Sequence, residues 1–263
     1  MKTILDTIVD QKRKEVAALR SQFTYADFER MPNFERASIS LADSIKSSGF
    51  GIIAEMKRKS PSAGEILEQL EIQSQGEIYE RAKVAGISCL TDNEFFGGST
   101  EDLQLLRETV KTPILRKELI IDEIQLFESK AYGADAVLLI AELLSSEEAL
   151  HLTIIAQSLG MEVIMECHDL ANLNKINDQV DIIGVNNRDL HLQKTDIQTS
   201  KNLFPYLPKD KVLISESGIR SHSELLELAA VGYDGALIGE SILKQSDPAK
   251  FIASLQLKKQ AIC

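Results

Sequence analysis

The sequence predicts an α/β fold, a closed (β/α)8 TIM barrel, and three observations lead there. Eight short apolar runs follow one another from Gly51 onward, helix-forming stretches lie between them, and a polar side chain closes nearly every run at the same end. Strands alternating with helices imply parallel pairing through right-handed crossovers. Eight such units in roughly 215 residues suit a closed barrel. A doubly wound open sheet competes, but it more often carries a glycine-rich turn after its first strand. In this chain that place is taken by Ser60-Pro61-Ser62.

Before any strand, Ile4, Leu5, Ile8, Val9, Val16 and Leu19 recur near a 3.6-residue spacing among charges, which predicts an amphipathic helix over about 2–22. The first apolar run, 52–54, ends in Glu55 and Lys57. Alternate side chains of a strand share a face, so both point the same way as Ile53. Taken alone, the pair is either a frayed strand end with a surface ion pair or a group placed for chemistry. The remaining runs are 87–91, 113–117, 136–141, 163–167, 182–187, 212–217 and 236–239. Helix formers fill 122–132, 146–159 and 221–231, and Gly86, Gly133, Gly160 and Gly232 are expected as C-terminal stops.

Composition narrows the function classes. With 29 Lys and Arg against 40 Asp and Glu, the net charge of −11 argues against nucleic acid or an acidic membrane as partner. An anionic ligand would therefore need positive charge concentrated locally. Cys89, Cys167 and Cys263 show neither metal-ligand spacing nor a disulfide framework. No stretch approaches about 18 consecutive apolar residues and no export signal is legible, so a reduced, cytoplasmic setting is expected. His151, His168, His191 and His222 are scattered, read as exposed or capping, and suggest no metal.

In such a barrel the active site lies at the C-terminal ends of the strands. Those ends read Glu55 and Lys57, Asp92, Lys117, Glu142, Glu166, Asn186 with Arg188, Glu216 with Ser217, and Gly239-Glu240-Ser241. Lys57 and Lys117 are placed to converge on one substrate, and partial burial beside a second ammonium would lower a lysine pKa toward proton transfer. Each alone also reads as a snorkelling surface cation. Glu166 follows apolar residues that could raise its pKa for acid–base work, or it simply pairs with a lysine. Ser217-Gly218 and Gly239-Glu240-Ser241 occupy the two loops where barrels often bind phosphate, although plain turns would look the same. Cys167 alternates with Glu166 and should face the helices as a packing thiol.

Residues 53–62, Ile-Ala-Glu-Met-Lys-Arg-Lys-Ser-Pro-Ser, resemble the Ile-Ala-Glu-x-Lys-x-x-Ser-Pro-Ser signature of the indole-3-glycerol phosphate synthase family. Leu115-Arg116-Lys117, Gly184-Val185-Asn186-Asn187-Arg188-Asp189, Ser215-Glu216-Ser217-Gly218 and Ile238-Gly239-Glu240-Ser241 match in family order. The resemblance implies one barrel domain over 1–263, with a helical extension over 1–47 packed near the mouth and the barrel over 48–263. It implies a cofactor-free, metal-free ring closure of 1-(2-carboxyphenylamino)-1-deoxyribulose 5-phosphate to indole-3-glycerol phosphate, with loss of carbon dioxide and water. A monomer acting on this small phosphorylated substrate is expected. Lys117 matches the general acid of ring closure, Glu166 and Lys57 the pair for dehydration, and Glu55 the group that orients Lys57. Asn186, Arg188, Glu216, Ser217, Phe96 and Pro61 match substrate-binding positions. Ser60, Gly218, Gly239 and Glu240 match phosphate contacts.

Two departures stand out: Glu118-Leu119 replaces the family's usual Asp-Phe, and Glu94 stands where lysine is common. Losing an aromatic at 119 removes stacking worth about 1 kcal/mol. Two competing functions remain open at this stage: a Schiff-base aldolase with Lys117 as nucleophile, and a catalytically silent phosphosugar-binding relative.

Overall fold

A computed structural model describes residues 4–67, 69–189 and 194–257. Its barrel strands are β1 (Gly51–Met56), β2 (Gly86–Leu90), β3 (Ile114–Lys117), β4 (Ala136–Ile140), β5 (Glu162–Cys167), β6 (Ile182–Asn186), β7 (Val212–Glu216) and β8 (Gly235–Ile238). Each pairs in parallel with its chain neighbour, and β8 closes on β1 with Ile53 opposite Leu237. All eight expected runs are strands. A barrel strand is covered on both faces, and for that reason these runs read as continuously apolar. Ile53, Leu115, Leu138, Ile164, Ile214 and Leu237 pack together inside. Ile52, Ile87, Val137, Val163, Ile183 and Leu213 belong to the separate layer beneath the helices.

Three helices precede the barrel: α1 (Ile4–Gln22), α2 (Tyr25–Glu29) and α3 (Leu41–Ser47). The outer helices are α4 (Ile72–Arg81), α6 (Thr100–Thr109), α7 (Ile124–Ala131), α8 (Ser146–Ser158), α9 (Gln198–Leu203), α10 (His222–Val231) and α12 (Pro248–Leu255). Single turns α5 (Asn93–Phe96) and α11 (Glu240–Leu243) sit in the loops after β2 and β8. Between β5 and β6 the crossover has a 3-10 turn, Leu170–Lys175, in place of an α-helix. Gly133, Gly160 and Gly232 take left-handed backbone after α7, α8 and α10, as stops should. Gly86 does not. It opens β2, where an added Cβ would lie 2.4 Å from Leu41 Cδ1, and the left-handed residue after α4 is Lys83.

The helices before β1 reach both ends of the barrel: Ile4, Leu5 and Ile8 of α1 line the mouth, and α3 packs at the other end. At the closed end, Leu41 and Ile45 of α3 are fully buried against the interior residues. Glu162 accepts the Leu41 and Ala42 amides at 2.8 and 2.9 Å, and Asp135 accepts the Ile39 amide and the Arg36 guanidinium at 2.8 and 2.7 Å. The start of α3 is thus tied to two carboxylates at the strand N-termini. Tyr25 stacks on Phe127 of α7, and the first turns of α1 lie at the mouth. Among the described residues, no helix is long and apolar enough to cross a membrane.

Candidate active site

On five strands the interior face ends in a polar residue, which the alternation of side chains directs toward the mouth. Glu55 continues Ile53, Lys117 continues Leu115, Glu166 continues Ile164, Asn186 continues Gly184, and Glu216 continues Ile214. Together with the loops these ends surround a cavity of about 520 Å³. Lys57, Lys117, Arg188, Arg220 and Lys244 line it, matched in number by Glu55, Asp92, Glu118, Glu166 and Glu240, so cations and carboxylates are interleaved there and not segregated. Glu55, Glu166, Asn186, Ser60, Pro61, Phe96, Ser217, Gly218, Gly239 and Glu240 line it too. Glu142 is absent from the lining, because its strand gives way to a 3-10 turn at Ala141–Leu143. Glu216, expected on the wall, is wholly buried behind it.

Lys117 is held by Glu216 and lies 3.4 Å from Glu166. Its burial opposes the charge, but Glu216, Glu166 and Glu55 outweigh burial and raise the ammonium pKa above the ordinary lysine value. This reverses the expected lowering: the nearest charges are carboxylates, not a second ammonium. Burial pushes the Glu216 carboxyl up to about 7 against the opposing pull of Lys117. Burial also acts against the charged Glu55, yet Lys57 and Lys117 overcome it and lower its pKa. Lys57 bonds Glu55 directly, and Asn186 Nδ2 donates to Glu166 at 3.0 Å. Each catalytic candidate therefore has a polar neighbour that fixes it.

Two glycines make room for these buried carboxylates. A Cβ on Gly184 would lie 2.2 Å from Glu216 Oε1, and one on Gly239 would lie 2.4 Å from Glu55 Oε1. Gly184→Ala is expected to displace Glu216 from Lys117, destabilising the fold by about 1–3 kcal/mol through overpacking and lowering turnover. A thermal melt paired with a turnover assay checks this, and unchanged values in both would show that the carboxylate has room to move.

At the rim, Arg188 contacts Ser62 across the mouth, and Arg58 anchors the loop after β1 through Asp102 and the Gly97 carbonyl. Leu119 joins Ile4, Leu5, Ile8, Leu138 and Ile140 in an aliphatic wall. Opposite it, Ser217 and Gly218 both adopt left-handed backbone, at φ 69° and 77°, beside Gly239 and the start of α11.

Lys12 of α1 is a residue that pattern reading passed over. It is buried, 3.0 Å from Asp92 and 2.9 Å from Glu118, the residue after Lys117. Burial opposes its charge, but Glu118 and Asp92 prevail and raise its pKa. Asp92 in turn caps α5, which carries Phe96. Lys12→Ala leaves two buried carboxylates without their partner and is expected to cost about 3–5 kcal/mol. Denaturant unfolding measures this, and a wild-type midpoint would mean that the carboxylates find compensation elsewhere.

Other expectations are settled by position. Cys167 is buried in the helix-facing layer, and burial pushes its thiol up to about 12. His168 is neither exposed nor capping: its Nδ1 lies 2.8 Å from the Asn186 carbonyl. His191 and Cys263 lie outside the described residues.

The sequence matches the family model described as indole-3-glycerol phosphate synthase over residues 5–255. A protein of that name from Bacteroides thetaiotaomicron is 42% identical over 250 residues, covering 95% of this chain and 96% of that protein. One from Carboxydothermus hydrogenoformans is 38% identical, covering 95% and 98%. Among solved structures, 3-hexulose-6-phosphate synthase from Salmonella typhimurium superposes with a TM-score of 0.64 at 14% identity, over 81% of this chain and 98% of that one. Thiamine phosphate pyrophosphorylase from Pyrococcus furiosus gives 0.59 at 14% identity, over 83% and 97%. At that identity the likeness is one of fold.

Proposed function

The chain belongs to the indole-3-glycerol phosphate synthase family, and from that premise we propose how the mouth of its barrel closes an indole ring. The protein is a carbon–carbon lyase of tryptophan biosynthesis that converts 1-(2-carboxyphenylamino)-1-deoxyribulose 5-phosphate to indole-3-glycerol phosphate. The observation that carries the assignment of roles is Lys117, a cavity-lining ammonium whose proton is retained by Glu216, Glu166 and Glu55.

In the first step the aromatic carbon bearing the carboxylate attacks the ribulose carbonyl. Negative charge builds on the carbonyl oxygen, and Lys117 donates its proton there. An alkoxide is more basic than an amine, so the transfer runs downhill even from a lysine held in its charged form. The carboxylate then leaves as carbon dioxide and returns its electron pair to the ring. Dehydration needs a base and an acid: Glu166 takes a proton from carbon and Lys57 gives one to the departing hydroxyl. Before that step Lys57 holds the substrate carboxylate, and Glu55 holds Lys57.

Ser60, Gly218, Gly239 and the Glu240 amide receive the phosphate, while Asn186, Arg188 and Ser217 bind the chain between. Glu216 serves from behind the wall by holding Lys117. Pro61 and Phe96 flank the aromatic ring, facing the aliphatic wall that includes Leu119. The steps move protons and carbon dioxide without an outside electron acceptor, so the proposal uses no metal or cofactor. The proposal takes a cytoplasmic monomer, a single barrel domain with its extension at 1–47. A Schiff-base role for Lys117 is disfavoured, because a nucleophilic lysine needs its amine neutral and these carboxylates favour the ammonium.

The direct test is to mix the protein with the carboxyphenylamino-deoxyribulose phosphate and follow indole fluorescence. Catalytic turnover is the expected result, and folded protein giving no signal would refute the assignment.

A further inference from the structure

The Asn186-Asn187 doublet at the end of β6 splits between two faces. Asn186 lines the cavity, while Asn187 is buried behind it. Asn187 Oδ1 accepts the Ser200 amide at 3.1 Å and the Ser200 hydroxyl at 2.7 Å. Its Nδ2 donates to Ser215 Oγ at 2.9 Å and to the Ser217 carbonyl at 3.0 Å. The Ser200 N–H is only a donor and the Ser217 carbonyl only an acceptor, so the amide has one possible orientation. Ser200 is itself held by Tyr233, whose hydroxyl donates to the Ser200 carbonyl at 2.8 Å, so the amide is anchored on a packed element.

Ser217 is one of two non-glycine residues described with positive φ, a conformation that surrounding contacts must maintain. The peptide joining Ser217 to Gly218 is trans, so its carbonyl and N–H point in opposite directions. With the carbonyl tied back to Asn187, the Gly218 N–H is turned toward the cavity that Gly218 lines. We propose that Asn187 is a positioning residue: its amide holds the left-handed Ser217 and thereby aims the Gly218 N–H at the substrate phosphate.

This inference rests on the phosphate reading above and names what aims one of its donors. It predicts a selective effect, because Asn187 touches neither Lys117 nor Glu166. The probe is inorganic phosphate as a competitive inhibitor of the wild-type protein, of Asn187→Ala, and of Ser200→Ala, which loosens the same amide from the other side. Asn187→Ala should raise both KM and the phosphate inhibition constant about tenfold, the scale of one hydrogen bond to a charged group, with kcat changed less than about threefold. Ser200→Ala should shift the inhibition constant in the same direction by about two- to fivefold.

Wild-type inhibition with an unchanged constant in a folded Asn187→Ala overturns the Asn187 inference alone. The same holds for a loss confined to kcat. If Asn187→Ala does not fold, an unchanged constant in Ser200→Ala is the contradicting result. No competitive inhibition of the wild type by phosphate overturns the phosphate reading, and the inference with it.

Discussion

Replacing Lys117 with alanine is expected to abolish useful ring closure, lowering kcat by roughly 10³-fold, within the span that positioned general acids supply. Nothing else in the cavity is placed to substitute. Lys57, bonded to Glu55, is assigned to the substrate carboxylate and the departing hydroxyl, and water would have to enter among Glu55, Glu166 and Glu216 with no charge of its own. Removing the ammonium also leaves Glu216 buried and without its counter-charge, so part of the loss would be structural. Lys117→Met, which keeps the unbranched stem without its terminal nitrogen, helps separate the two effects: a folded variant with KM near wild type and kcat still depressed assigns the loss to the missing proton. Near-normal turnover in either folded variant would remove the acid role.

Glu166→Gln is expected to slow formation of the indole by roughly 10²-fold, the lower end for a proton-transfer group, and to do so at a different step. The substitution preserves shape and an acceptor for Asn186, which now donates at 3.0 Å. It removes the base proposed for dehydration while leaving Lys117 with Glu216. In a single turnover, carbon dioxide should therefore appear ahead of indole fluorescence. If both fall together by the same factor, Glu166 acts in ring closure or before it.

Much of this was legible in the sequence because a barrel strand repeats one rule. Once Ile53, Leu115, Ile164 and Ile214 are read as interior, alternation alone sends Glu55, Lys117, Glu166 and Glu216 to the same end. Alternation gives direction but not depth. It could not tell that Glu216 stops behind the wall, or that Glu142 turns away where β4 passes into a 3-10 turn. Charge neighbours were harder still, since they depend on which strands sit side by side around the ring. Strand order along the chain pairs Lys117 with Lys57, while its closest charges in space are carboxylates from β5 and β7. Lys12 and Asn187 were missed for a related reason. Each reads as an ordinary polar residue, on a helix or in a loop, and becomes significant only through partners far along the chain, about 80 or more residues away for Lys12 and 13 to 30 residues away for Asn187. The glycines after α7, α8 and α10 could be read locally because a helix stop is a local event; Gly86 could not, because what it makes room for is Leu41 of α3.

The central claim is that Lys117 works as a charged acid and never as a neutral nucleophile. Borohydride added during turnover tests it most directly, since the reagent reduces a lysine–carbonyl Schiff base to a permanent adduct. The account predicts a protein of unchanged mass that still turns over fresh substrate once the reagent, which also reduces the substrate's free ketone, has been removed. Inactivation accompanied by a substrate-derived mass increment on Lys117 would contradict it.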